Sequence, residues 1–382
     1  MLISKILLKN WRNFRSVDAK LGYRAFLVGP NASGKSNFLD AIRFLRDIAK
    51  TGGGLQKAVQ ERGGLTKIRC LAARQDPDVE FEIHISDDLG DKPKWIYAIG
   101  IAQEVRGYRQ AYLKYERVWK EKQQILNRPD DQDVADNLRL TQTHLEQINA
   151  NLLFRAIANF FESIQYLHIV PQLVRHPDAF PGPGIPGDPF GLSFLDRLAQ
   201  VPEKTRKSRL GKIGEALRSA VPQLKELSFV RDDRGLAHLE AVYEHWRPHA
   251  GKQREDQFSD GTIRLIGLLW SLFESDSVLL LEEPELSLHP GIVKLLPALI
   301  YRLLREKKRQ IIITTHSADL LSDRGIGAGE TLILRPHQEG TEVEKASDLG
   351  EVTDLLNAGL TIADAVLPRT LPLKLDQLNL FE

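Results

Sequence analysis

The sequence predicts an α/β fold: a mixed, largely parallel sheet built around a phosphate-binding loop and flanked by helices, with an antiparallel β arm and an inserted helical lobe. Three observations predict it. A strand-like run at 25–28 feeds the glycine loop Gly29-Pro30-Asn31-Ala32-Ser33-Gly34-Lys35-Ser36, and apolar residues then recur at helical spacing (Phe38, Leu39, Ile42, Leu45, Ile48). In the last third, the continuous apolar strands 278–281 and 311–315 bracket a helix over 291–305, the strand–helix–strand order of a buried parallel sheet. Two further runs, 79–85 and 95–101, read as strands, the first with clear alternation, and supply the antiparallel arm.

The other elements follow in order. Residues 3–8 read as a short strand, and Asn13-Phe14-Arg15-Ser16 as a small connecting segment before the next. Residues 104–163 are charged and helical in period, broken at Arg128-Pro129-Asp130-Asp131, and are expected to form a helical pair. A strand at 166–170 leads into the Pro/Gly-rich stretch 181–191, where no regular element can persist. A helical stretch at 193–220, strands at 227–231 and 237–243, and a helix at 261–273 complete the pattern. The expected organisation is a nucleotide-binding domain in two parts, 1–110 and 251–335, split by a helical lobe at 111–250 and followed by an extension at 336–382.

Composition sets the outer bounds. The chain has 382 residues, 42% hydrophobic and 27% charged, with a net charge of +1. No global field draws it to nucleic acid, so any DNA contact has to come from a local patch or a partner. The single cysteine, Cys70, excludes an internal disulfide framework and a cysteine-based zinc site. No apolar run approaches the roughly 20 residues of a membrane span, and Lys5 and Lys9 interrupt the N-terminal apolar residues. The expectation is a cytoplasmic protein without a membrane partner.

Four short motifs carry chemistry. In the glycine loop, main-chain N–H groups and the helix N-terminus can wrap phosphates, Lys35 can neutralise the β and γ charges, and the Ser36 hydroxyl can ligate Mg²⁺. The strand at 278–281 ends in Glu282-Glu283, which predicts one carboxylate at the metal and the next at the attacking water: Glu282 as Mg²⁺ ligand and Glu283 as general base. Ser259-Asp260-Gly261-Thr262 opens a helix and offers a second anion-binding end, although a plain N-cap uses the same residues. His316 follows the strand 311–315, where it can reach a γ-phosphate or serve the structure alone.

Together and in this order, these residues resemble the ABC-type ATPases, in the branch that holds RecF, the SMC-like heads and the overcoming-lysogenization-defect ATPases. The resemblance covers residues 1–110 and 250–335. It implies an ABC-ATPase head that binds ATP and Mg²⁺. Asn13-Phe14-Arg15-Ser16 looks like the family's N-terminal element, whose arginine (here Arg15) lies near the nucleotide. Gly29 to Asn37 looks like Walker A, Glu282-Glu283-Pro284-Glu285 like Walker B, and Ser287-Leu288-His289-Pro290 stands where the D-loop belongs. Ser259 and Gly261 look like the signature, whose family role is to contact the γ-phosphate held by the opposite subunit. Thr314-Thr315-His316-Ser317 looks like the switch-histidine segment, and Gln172 is taken as the lobe-coupling glutamine over Gln165. Glu282 departs from the usual aspartate by one methylene.

A signature working in trans implies a homodimer that sandwiches ATP. About 65 residues follow His316 and contain no D-x-D carboxylate pair of the kind a Toprim nuclease needs, so an effector, nuclease or toxin, would be a separate polypeptide. By resemblance, the setting is anti-phage defence or DNA repair. Two rivals stand beside this: a RecF-like repair factor acting directly on DNA, and an ATP-bound scaffold without turnover. The C-terminal Gln377-Leu378-Asn379-Leu380-Phe381 is similar to the short motif that docks bacterial proteins on the sliding clamp. Two basic clusters could contact DNA phosphates, or be solvated faces: Lys204, Arg206, Lys207, Arg209 and Lys212, and Arg302, Arg305, Lys307, Lys308 and Arg309.

Overall fold

In a computed structural model, residues 1–73, 76–104, 109–180, 188–244 and 251–371 are described, with the side chains of 303–307 left aside. The chain divides into two compact units. The first comprises residues 1–164, 277–280 and 308–382, and the second comprises residues 165–276 and 281–307.

The first unit opens with β1 (Leu2–Trp11) and β2 (Phe14–Lys20), then the central strand β3 (Arg24–Val28), then β4 (Val79–Ser86) and β5 (Trp95–Gln103). Two strands follow where helices were expected: β6 (Ala111–Lys120) and β7 (Gln123–Arg128). All but β3 form one antiparallel sheet in the order β2-β1-β4-β5-β6-β7. The physical reason for the mistaken helical reading is a charge inside the core. Glu116 has its side chain fully buried in β6, so the strand's inward face does not look apolar. Its carboxylate accepts hydrogen bonds from Tyr97 Oη (3.0 Å), Arg128 Nη1 (3.0 Å) and the main-chain N–H groups of His144 (2.7 Å) and Leu145 (3.1 Å). Arg128 is buried as well and forks onto Asp133 with two 2.9 Å bonds. Burial opposes the Asp133 charge, but the hydrogen bonds from Arg128, the Asp130 amide and Arg139 outweigh it and hold its carboxyl far below the usual range.

The second unit contains β8 (Gln165–Leu167) and a three-stranded antiparallel sheet, β9 (Leu224–Arg231), β10 (Ala237–Tyr243) and β11 (Lys252–Arg254), in the order β11-β10-β9. The helix Glu203–Arg218 packs on β9 and on the helix Asp260–Glu274. The strands expected at 227–231 and 237–243 are β9 and β10, so this unit carries a small sheet beside its helices. Residues 181–187 of the Pro/Gly stretch lie outside the described residues.

The chain then runs through β12 (Leu279–Glu282), which starts in the first unit and ends in the second, and returns to the first unit with β13 (Ile311–Thr315), β14 (Thr331–His337) and β15 (Gly340–Lys345). Within the first unit the order is β15-β14-β3-β13-β12. β13 and β14 flank β3 in parallel, and β15 closes the edge antiparallel to β14. Every residue of β3 and β13 is buried, as continuous apolar strands covered on both faces should be. The β14–β15 hairpin was not anticipated, and β14 runs through residue 335, where the sequence suggested a boundary.

The helix Lys35–Ala49 is fixed by its apolar face. Phe44 stacks on Phe81 of the antiparallel sheet (centroids 5.3 Å apart) and tilts against Trp11 (5.2 Å). Trp11 Nε1 also donates to the Asn37 carbonyl at 2.7 Å, and so ties β1 to the first turn of the helix. Fully burying such aromatic side chains stabilises by about 2–3 kcal/mol each, so the start of this helix is held to better than its own propensity would achieve.

Candidate nucleotide-binding site

The glycine loop connects β3 to the helix Lys35–Ala49, as its sequence pattern requires. Gly34 takes the N-cap position in the left-handed region (φ 96°), where a side chain would also strike Asn13, 2.2 Å from where its Cβ would stand. Lys35 is buried to 6% exposure and its Nζ donates to the carbonyls of Gly29 (2.9 Å) and Pro30 (3.1 Å). The ammonium is thus stored against the loop's own backbone. The Ser33 hydroxyl is fully buried without a hydrogen-bond partner, an unsatisfied group of the kind a bound anion shell would satisfy.

What holds the loop from outside is Asn13, in the turn between β1 and β2. Its Nδ2 donates to the Ser33 carbonyl (2.9 Å) and to Thr341 Oγ1 (2.7 Å), while its Oδ1 accepts from Asn37 Nδ2 (2.8 Å). The Thr341 amide donates back to the Asn13 carbonyl at 2.7 Å. The β15 edge, the β1–β2 turn and the loop are therefore one hydrogen-bonded assembly. Arg15, expected near the nucleotide, is instead exposed on β2 and pairs with Glu339 in a groove of about 690 Å³ shared with Lys9, Asn10 and Ser16. The segment touches the loop through Asn13, two residues earlier. The Asn13 amide accepts from Asn37 through the oxygen while its two N–H groups donate to the Ser33 carbonyl and the Thr341 hydroxyl. His316 is exposed immediately after β13, and the Thr315 hydroxyl accepts from the Ser317 amide at 3.0 Å, turning the chain into the helix Ala318–Leu321.

The second unit carries the other candidates. Glu282 ends β12 half-buried, and Tyr166 of β8 donates its hydroxyl to Glu282 Oε2. Glu283 follows with φ 43°, a left-handed conformation that costs a non-glycine residue about 1 kcal/mol or more. A small cavity of about 20 Å³, room for one water, is lined by Glu282, Glu283, Pro284, Arg264, Leu268, Leu281, Leu167 and Ile169. Burial lowers the Arg264 pKa, with the nearby Asp260 opposing, and its Nε has no hydrogen-bond partner. Sequence reasoning passed over both Tyr166 and Arg264, because neither sits in a recognisable motif.

Ser259 caps the helix Asp260–Glu274, accepting from the Thr262 amide at 3.2 Å. Gly261 is closely approached by the segment after Glu283: a Cβ there would lie 2.6 Å from the Ser287 carbonyl. Asp260 pairs with Arg175 at 2.6 Å, and Gln172, in the helix Pro171–Arg175, places Nε2 3.5 Å from Asp260 Oδ2. Gln172 is thus exposed on a short helix beside the signature-like segment.

Three members of the basic clusters, Arg206, Arg209 and Arg309, are turned inward, while Lys204, Lys207, Lys212, Arg302 and Lys308 are exposed. Arg206 donates to the carbonyls of Leu198, Ala199 and Val201 and lies 4.0 Å over Phe229; Arg209 lies over Trp270 and Lys212 over Phe273. Arg309 is buried and donates to the Ser277 carbonyl, which removes it from any surface patch. The clamp-like tail at 377–382 and the side chains of Arg305 and Lys307 lie outside the described residues. Among the described residues no helix is long and apolar enough to cross a membrane.

The donor chemistry suits Mg²⁺ with a nucleotide. Among the described residues no group of three His, Cys, Asp or Glu side chains could hold a metal by itself. A hydroxyl and a carboxylate, completed by phosphate oxygens and waters, are what Mg²⁺ commonly takes.

A protein-family model described as "AAA domain, putative AbiEii toxin, Type IV TA system" matches residues 24–323. No curated protein matches the sequence. Among solved structures, an SMC head bound to the C-winged helix domain of ScpA superposes with a TM-score of 0.52 at 14% identity, covering 90% of this chain and 97% of that one. The SMC head domain with an extended coiled coil from Pyrococcus furiosus, bound to the C-terminal domain of ScpA, gives 0.50 at 13% identity, covering 93% and 99%. At such identities the likeness speaks to the fold alone.

Proposed function

We propose that this chain, which belongs to the AAA-domain family of the putative AbiEii toxin type and shares the fold of SMC heads, is a P-loop ATPase of the ABC type that hydrolyses ATP and works as a switch in DNA surveillance. The observation that carries the reading is the glycine loop with Lys35 stored on its carbonyls and Asn13 clamping it from outside.

In this reading the loop amides and Lys35 bind the phosphates, and Lys35 exchanges two carbonyl partners for phosphate oxygens. Ser36 and Glu282 would hold Mg²⁺, which supplies charge neutralisation at the phosphates when bound. Glu283 takes a proton from the attacking water as its oxygen bonds to the γ-phosphorus, and the bond to the leaving ADP oxygen breaks. His316 senses the γ-phosphate. Ser259 and Gly261 of one chain complete the site of a second copy, so ATP drives homodimerisation and hydrolysis releases it. The dimer state controls a separate effector, a nuclease or toxin, in anti-phage defence or repair. Gln172 and Arg15 are the outlying candidates, and a RecF-like factor acting on DNA with the sliding clamp is the second reading.

The direct test is phosphate release by the purified chain. Lys35→Ala should abolish nucleotide binding, and Glu283→Gln should retain binding while lowering turnover at least about 100-fold. Wild-type turnover in Glu283→Gln would place the base elsewhere.

A further inference from the structure

We propose that Arg175 is a positioning residue for Ser259: it grips the residues on either side of that serine and cancels the negative charge beside it. The inference rests on the reading of Ser259 as the group offered to the γ-phosphate held by a second copy. Arg175 ends the helix Pro171–Arg175, and its side chain is 15% exposed. Its Nε and Nη2 both donate to the Phe258 carbonyl, at 3.2 and 2.5 Å, and Nη2 also lies 2.6 Å from Asp260 Oδ1. One guanidinium thus holds the residue before Ser259 and the residue after it, while Ser259 itself is exposed.

Two effects act together. A guanidinium presents its N–H groups in a rigid planar fork, which an ammonium cannot imitate. Phe258 is buried at 3% exposure, so the fork ties the start of the helix Asp260–Glu274 to a fixed point. The Ser259 hydroxyl, which accepts from the Thr262 amide at 3.2 Å, is thereby held in one direction. The second effect is electrostatic. A triphosphate approaching Ser259 meets the Asp260 carboxylate next to it, a like charge that opposes the approach. Arg175 neutralises that carboxylate before the nucleotide arrives. Gln172, 3.5 Å away on the Oδ2 side, brings no charge. Arg264, one turn along the same helix, also attracts Asp260, so losing Arg175 leaves the carboxylate undercompensated rather than bare.

The experiment measures dimerisation of the full Glu283→Gln chain by analytical ultracentrifugation, with ATP and Mg²⁺ at saturation. Adding Arg175→Gln should weaken the dimer by about tenfold or more, while the nucleotide affinity of the monomer and the thermal midpoint stay as in the parent. Adding Asp260→Asn to Arg175→Gln should recover part of that loss. Raising the salt should also recover part of it, because salt screens the uncompensated charge. A purely structural loss would respond to neither. Arg175→Lys keeps the charge without the fork and should fall between the parent and Arg175→Gln; it carries the test if the glutamine variant is unstable. Parental dimerisation in the Arg175 variants, or a loss that neither Asp260→Asn nor salt relieves, overturns the positioning role alone. A Ser259→Arg chain that dimerises as the parent does overturns the reading of Ser259 on which it rests.

Discussion

Asn37 donates its side-chain N–H to Asn13 Oδ1 at 2.8 Å, which turns the Asn13 amide so that its own NH₂ faces the Ser33 carbonyl at 2.9 Å. A residue of the helix behind the phosphate loop thereby sets the orientation of the residue that braces the loop in front. Asn13→Ala removes these bonds and the one to Thr341, each worth about 1 kcal/mol net. The expected result is a nucleotide affinity lower by roughly tenfold to a hundredfold, measured by fluorescence titration, with Asn13→Asp similarly impaired because a carboxylate cannot donate.

At Gly261 the expected effect is steric. A methyl group would stand 2.6 Å from the Ser287 carbonyl, which is main chain and cannot swing aside. Gly261→Ala should push the two segments apart, cost about 1–3 kcal/mol of stability, and lower ATP turnover more than nucleotide binding. A steady-state comparison of turnover with nucleotide affinity checks the split.

The buried Glu116–Arg128–Asp133 cluster gives a stability prediction in the antiparallel sheet. Replacing one member leaves an uncompensated charge, so Arg128→Met should destabilise by about 3–5 kcal/mol, read from chemical denaturation. Replacement of all three by apolar residues of matching volume should recover much of that loss.

Glu146 supplies the pH dependence. Burial pushes its carboxyl up to about 7 from the ordinary 4.5, against opposing hydrogen bonds from the Leu55 amide and Thr143. A folded-state pKa above the unfolded one means the folded protein holds the proton more tightly. Its contribution to stability is therefore fully present below about pH 4.5 and is lost as pH rises through about 7. The swing is on the order of 3 kcal/mol, and Glu146→Gln should flatten the denaturation free energy between pH 5 and 8.

Elements with a clear period were legible in the sequence. The helix after the glycine loop, β12, β13 and the helix Asp260–Glu274 fall where hydrophobic spacing put them. β6 and β7 were missed because Glu116 and Arg128 place charges in the core, so the period of two was masked by a paired ionic interior. The β14–β15 hairpin was missed because β15 is an edge strand with a mostly polar sequence, Gly340–Lys345. The loop itself was plain, because every residue in it answers to phosphate chemistry. Asn13 and Tyr166 were not, because each acts through a partner far away in sequence, 20 residues for Ser33 and 116 for Glu282.

The most direct test of the switch is the oligomeric state of Glu283→Gln with and without ATP, measured by light scattering on the eluting protein. A site completed by a second chain and stalled before hydrolysis predicts a monomer that becomes a stable dimer with ATP and Mg²⁺. It also predicts that Ser259→Arg, which blocks the signature-like segment, prevents the dimer without preventing nucleotide binding. A Glu283→Gln chain that binds ATP to saturation and remains monomeric would contradict the account.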